Sequence, residues 1–228
     1  PRAGTDHRHP DLRRTTHVTS AHVTSVGGHA WPSLLGVETA VLIPVKAFHA
    51  AKARLAGWLP DRDRERLARW MAERVVDAAA PLPTFVACDD DTVASWAEEH
   101  GAEVLWGPGL GLNGAVDHGV DTIAGKGADR VLIAHGDLPL PHALGEVAAL
   151  DGIVLVPDRR ADGTNVLARP CATTLPASYG AASFRRHLEL AMATGLPVSV
   201  RSDPRLSIDL DTIADCRHPL VAPLLRGL

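Results

Sequence analysis

The chain alternates short apolar runs with segments whose apolar positions recur at helical spacing. Thr39–Val45, Thr84–Cys88, Glu103–Trp106, Arg130–His135 and Ile153–Val156 are short and β-rich, which predicts strands. Between the first two, Leu67, Trp70, Met71, Val75 and Ala78 share one face of a predicted helix, capped by Asp61 and ending near Ala80. Further helices are predicted over 92–100 (capped by Asp90 or Asp91), from the glycine-rich turn 107–111 to about Ala124, over 141–150 and over 183–194. Strand-like pieces lie near 166–169, at 198–201 and at 206–210, before a short C-terminal helical region. Strands alternating with helices predict an α/β fold with a mainly parallel sheet flanked by helices. In such sheets ligands bind at the carboxyl ends of strands, so the residues that follow strands are the place to seek chemistry.

Residues 1–38 break this pattern. They hold His7, His9, His17, His22 and His29, the near-repeat His17-Val18-Thr19-Ser20 and His22-Val23-Thr24-Ser25, and few large apolar residues. Such a stretch buries too little apolar area to offset the entropy of ordering it, which predicts a flexible His-rich extension before a folded domain over 39–228.

Composition narrows the class. Of 228 residues, 46% are apolar and 22% charged, enough for a packed core. The net charge of −4, without a basic stripe, argues against a nucleic-acid partner. No run approaches the roughly 20 apolar residues of a membrane span. Cys88, Cys171 and Cys216 are odd in number and widely separated, which argues against a disulfide framework and predicts a cytoplasmic protein.

The candidate chemistry sits at predicted strand ends. Only three lysines occur, and Lys46 and Lys52 both follow the first strand, where cations beside a helix start attract polyanions. Ordinary solvated lysines are the competing reading. Gly107-Pro108-Gly109-Leu110-Gly111-Leu112-Asn113-Gly114 lets backbone approach a ligand closely, and Asn113 offers a donor and an acceptor to a base or ribose; a plain loop is the alternative. Asp137 follows Arg130–His135, and Asp209 and Asp211 stand at alternate positions that face one side of an extended chain. Three carboxylates of this kind suit magnesium, though each also suits a turn or a helix cap. Thr164 and Ser183 carry hydroxyls fit for a phosphate or carboxylate, with Ser183 also a candidate N-cap. His187 reads as a surface residue.

These pieces in this order resemble the guanylyltransferases of coenzyme F-420 biosynthesis. The resemblance rests on IPVK at 43–46, KARL at 52–55, GLN at 111–113, GDLPL at 136–140, PDRRADGTN at 157–165, SFRRHLELA at 183–191 and the DLDT at 209–212, and spans about 40–215. It implies a nucleotide-diphospho-sugar-transferase (glycosyltransferase-A-like Rossmann) fold, and transfer of GMP from GTP to phosphoenolpyruvate or 2-phospho-L-lactate with release of pyrophosphate. It also implies that Thr164, Gly180 and Ser183 hold the acceptor, that Asp137, Asp209 and Asp211 hold Mg2+, and that Lys46 and Lys52, with Gly111 and Asn113, serve the nucleotide. Asp137, Lys46 and Lys52 are then the catalytic candidates. A homodimer is compatible with this reading. His135-Gly136 before Asp137 departs from the expected pattern, and the GxGxR loop of many related transferases is lacking. The alternatives are a nucleotidyltransferase for a sugar phosphate or molybdopterin-type acceptor, and a non-catalytic nucleotide-binding regulator.

Overall fold

The computed structural model describes Pro1 and residues 39–226, so the expected extension over 1–38 lies, Pro1 apart, outside the described residues. Seven strands among these residues form one sheet: β1 (Thr39–Pro44), β2 (Thr84–Cys88), β3 (Glu103–Trp106), β4 (Arg130–Ala134), β5 (Ile153–Pro157), β6 (Thr164–Pro170) and β7 (Val198–Val200). Their order is β3-β2-β1-β4-β6-β5-β7, and only β6 runs antiparallel to its neighbours. The chain first builds outward from β1 to β3 and then returns to the other side of β1 with β4. The order therefore reverses between β1 and β4, where an open α/β sheet leaves a crevice at its carboxyl edge.

Both faces of the sheet are covered, which is why β1 and β4 run as near-continuous apolar stretches over 40–44 and 131–134. Val41 and Ile43 of β1, Leu132 of β4 and Val154 of β5 join the core beneath α1 (Asp61–Ala79) and α2 (Asp91–Glu99). Ala40 and Leu42, Val131 and Ile133, and Ile153 and Leu155 face the other way, toward α3 (Gly111–Gly125) and α5 (Ser183–Ala193). A β-carbon on Gly119 of α3 would lie 2.8 Å from Leu42 Cδ2, so glycine sets how closely this helix packs on β1.

Four local expectations are corrected. Leu206–Leu210 is not a strand: Pro204 opens a turn in which the Asp203 carboxylate accepts from the Arg205 and Leu206 N–H groups. The apolar residues Leu206, Ile208 and Leu210 are buried all the same, and the last two pack with Leu55, Leu67 and Met71, outside the sheet. The helix predicted for 141–150 shrinks to α4 (Leu144–Ala148), preceded by Pro141 and by Ala143 in the left-handed region. Asp61 is the first residue of α1, and Pro60 takes the cap position. Ser183 likewise opens α5 after Ala182, at φ 55°, and is not the cap.

Candidate active site

The segment after β1 delivers Lys52 to the carboxyl end of β4. Lys52 lies in the left-handed region at φ 55°, a conformation that costs a non-glycine residue on the order of 1 kcal/mol. Two ion pairs hold it there: its Nζ donates to Asp137 Oδ2 at 2.8 Å and to Asp211 Oδ1 at 3.0 Å, with the side chain only 6% exposed. Arg54 Nη1 donates to the other oxygen, Asp211 Oδ2, at 3.1 Å. Burial opposes the Lys52 charge, but the two carboxylates outweigh it and hold its pKa above the ordinary value. Burial likewise opposes the Asp137 carboxylate, and Lys52 more than offsets this, holding the acid below its usual range.

The carboxylates at 209 and 211 are set by the residue between them. Leu210 is buried, and its N–H donates to the Asp137 carbonyl at 3.4 Å, tying this segment to the end of β4. Asp215 fastens the next turn, its Oδ2 accepting from the Asp211 N–H (3.1 Å), the Thr212 N–H (2.7 Å) and the Thr212 hydroxyl (2.8 Å). Arg159 in turn pairs with Asp215 Oδ1. Asp209 has no ion-pair partner among the described residues. Burial, together with the charges of Asp137 and Asp211, pushes its pKa up to about 6.

Hard oxygen donors of this kind suit magnesium. Asp137 Oδ1 is a buried oxygen without a hydrogen-bond partner, and Asp209 is half-buried beside the like charges of Asp137 and Asp211, so the donor set fits a divalent cation. The three carboxylates are not drawn into a finished cage: no group of three or more metal-ligating side chains is assembled among the described residues. The Lys52 ammonium bridges two of them instead.

Two cavities meet at this cluster. The larger, about 630 Å³, is lined by Lys46, Lys52, Gly107, Gly111, His135 and Asp137 among others. The smaller, about 380 Å³, is lined by Arg159, Arg160, Gly163, Gly180 and Asp209. Arg54 and Asp211 belong to both walls. Lys46 is exposed on the larger cavity and has no ion-pair or hydrogen-bond partner among the described residues.

Behind the smaller cavity the 178–182 loop is clamped from three sides. Asn113 Oδ1 accepts from the Tyr179 N–H at 2.7 Å while its Nδ2 donates to the Tyr179 carbonyl at 3.4 Å. Arg186 donates through Nε to Ser178 Oγ and through Nη2 to the Ser178 carbonyl, both at 2.7 Å. From within, the Ser178 N–H donates to His187 Nε2 at 2.9 Å. Gly180 sits at φ +115°, a backbone conformation that a side chain would strain. Thr164 and Ser183, each 2% exposed, lie side by side, the Thr164 N–H donating to Ser183 Oγ at 3.1 Å.

The sequence profile described as "Guanylyl transferase CofC like" matches residues 39–221, almost the whole described part of the chain. The chain belongs to this family. Relatives agree: it is 33% identical to the phosphoenolpyruvate guanylyltransferase of Chloroflexus aggregans, over 75% of this chain and 91% of that one. It is 35% identical to the protein of the same name from Sphaerobacter thermophilus, over 78% and 91%. Identity to the 2-phospho-L-lactate guanylyltransferase of Methanothermobacter thermautotrophicus is 33%, over 78% and 82%. The fold matches a solved structure described as a nucleotide-diphospho-sugar transferase from Desulfovibrio desulfuricans G20, with a TM-score of 0.67 at 17% identity over 84% of this chain and 96% of that one. A nucleotidyl transferase from Methanothermobacter gives 0.59 at 16% identity, over 85% and 100%. The protein is thus a nucleotidyltransferase of the guanylyltransferase class on the expected α/β fold. No helix among the described residues is long and apolar enough to cross a membrane.

Within this CofC-like framework most expected residues converge. Asp137, Lys52 and Asp211 touch; Lys46 and Gly111 line the larger cavity, Gly180 and Asp209 the smaller. Asn113 is placed differently from expectation, with its amide engaged by the Tyr179 backbone rather than turned to a ligand. His187 is the clear correction: it is 0% exposed, on the α5 face it shares with Ser183 and Ala191. That four-residue spacing was the available signal. Residue type and spacing do not single out Arg54, Arg159 and Asp215, although the Thr212-x-x-Asp215 spacing announces a capped turn that steadies Asp211.

Proposed function

We propose that this guanylyltransferase transfers GMP from GTP to phosphoenolpyruvate, with 2-phospho-L-lactate as the second acceptor to test, as a step of coenzyme F-420 biosynthesis. The observation that carries the reading is the junction of two unequal cavities at the Lys52–Asp137–Asp211 cluster. The larger, about 630 Å³, has room for a nucleotide, and the smaller, about 380 Å³ and walled by Arg159 and Arg160, has ample room for a small phosphorylated acid. The names of the relatives point to the same pair of acceptors.

In the reaction, an oxygen of the acceptor phosphate forms a bond to the α-phosphorus of GTP, and the bond from that phosphorus to the α,β-bridging oxygen breaks, releasing pyrophosphate. The nucleophile is an oxyanion, since a phosphate monoester has its second pKa near ~6, so no protein base has to remove a proton. What remains is to bring two polyanions together and neutralise them. Lys46, without an ion-pair partner among the described residues, is available to the nucleotide phosphates, and Arg54, shared by both cavities, faces the point where the two anions meet. Asp137, Asp209 and Asp211 would hold Mg2+, which when bound neutralises phosphate oxygens of both partners.

The test is to incubate the full chain with GTP and Mg2+ and with each acid separately, following pyrophosphate release and weighing the product. A guanylylated acid is the expected result. Turnover with a sugar phosphate but with neither acid would overturn the assignment.

A further inference from the structure

His187 is buried on the sheet-facing side of α5 and contacts no cavity directly, yet its hydrogen bonds define the polarity of the acceptor pocket. The Ser178 N–H lies 2.9 Å from Nε2, and a backbone N–H can only donate. Nε2 must therefore carry the lone pair. A proton there would set two N–H groups against each other at hydrogen-bond distance. The imidazole proton is thus on Nδ1, which lies 3.0 Å from Thr164 Oγ1 and donates to it. Burial pushes the His187 pKa down to about 4, so this neutral tautomer persists through the working pH range.

One consequence follows for each hydroxyl. Thr164 Oγ1 accepts from His187, and Ser183 Oγ accepts from the Thr164 N–H. Both oxygens have received a hydrogen bond, and neither hydroxyl proton has an acceptor among the described residues. Neither residue lines the smaller cavity itself, but Thr164 follows Gly163 in its wall and the Ser183 N–H donates to the carbonyl of Gly180 in the same wall, so each hydroxyl lies one layer behind it with its proton free to donate.

We propose that His187 is a positioning residue that fixes the Thr164 hydroxyl, and with it Ser183, as a hydrogen-bond donor toward an anionic oxygen of the acceptor substrate. This rests on the reading of the smaller cavity as the acceptor site. It gives the pocket a one-way polarity that accepts phosphate or carboxylate oxygens and disfavours an acceptor presenting a donor there. Tyr179, packed between the His187 ring (4.7 Å between centroids) and the His135 ring (4.9 Å), holds the imidazole in place.

Two substitutions separate the two ends of the ring. H187N keeps an amide N–H near the Nδ1 position and can still donate to Thr164; H187Q keeps an acceptor near Nε2 for the Ser178 N–H but loses the donor to Thr164. With GTP, Mg2+ and phosphoenolpyruvate, T164V and H187Q should each raise the KM for phosphoenolpyruvate about tenfold or more, leaving the KM for GTP within about twofold. H187N should remain within about threefold of the wild type, and the double variant T164V/H187Q should be no worse than either single variant. Equal losses in H187N and H187Q, or additive losses in the double variant, would mean that His187 merely fills space and would overturn the proposal while leaving the acceptor site standing. A T164V enzyme with unchanged KM for phosphoenolpyruvate would remove the acceptor-site reading itself, and this inference with it.

Discussion

Asp209 offers the sharpest test of the electrostatics at the cavity junction. Its pKa in the folded protein, about 6, stands above the ordinary carboxylate value of 3.8 because burial and the charges of Asp137 and Asp211 disfavour its ionisation. Folded protein therefore holds a proton here that unfolded protein has released, and stability contributed by that proton is lost as pH rises from about 4 to 6. Above pH 6 the full penalty is present. A separation of roughly 2 pK units corresponds to about 3 kcal/mol, and the partial exposure of the side chain reduces this to about 1–2 kcal/mol. D209N removes the charge while keeping the shape. In metal-free buffer containing a chelator at pH 8, the variant should melt about 3–6 °C above the wild type. The gain should shrink as pH approaches 4.5, where wild-type Asp209 is already protonated. Added Mg2+ should raise the wild-type melting temperature more than that of D209N. An unchanged or lower melting temperature for D209N at pH 8 without metal would refute the idea that three carboxylates repel one another here.

Three further outcomes are expected. K46Q should raise the KM for GTP about tenfold with little change in that for phosphoenolpyruvate, because Lys46 lines only the larger cavity; steady-state kinetics with each substrate varied will show it. D137N should reduce kcat by about 100-fold or more and also lower stability by about 1–3 kcal/mol, since it leaves the buried Lys52 ammonium with Asp211 alone. Because the Asp137 pKa is depressed, that stability difference should be constant from pH 5 to 8 and vanish only in acid, as denaturant titrations can establish. G119A should destabilise by about 1–2 kcal/mol, lowering the melting temperature by several degrees without altering either KM, because the added methyl meets Leu42 in the core.

The strand runs were legible because both sheet faces are buried, so the strands could be read as unbroken apolar stretches. Asp137 and Lys46 stand out as candidates because each follows such a run. The Leu206–Leu210 stretch misled for a related reason. Its alternation of apolar and polar residues is real, yet two of its apolar side chains pack with Leu67 and Met71 of α1 rather than with a neighbouring strand. Periodicity reports that alternate positions are buried, not what buries them. His187 taken singly looks like a surface residue, and only the Ser183 and Ala191 face it shares carries it inward.

The sequence by itself determined the alternating α/β architecture, the positions that end at the carboxyl edge of the sheet, and an ordered set of motifs specific enough to identify the guanylyltransferase family. Only the tertiary structure decided who partners whom. Lys52 bridges Asp137 and Asp211 across 85 and 159 residues of chain, Asn113 clamps Tyr179 across 66, and His187 fixes Thr164 across 23. The physical reason is that residue type and spacing constrain neighbours on one element, whereas the direction of a hydrogen bond and the compensation of a buried charge depend on groups that meet only after the chain has folded.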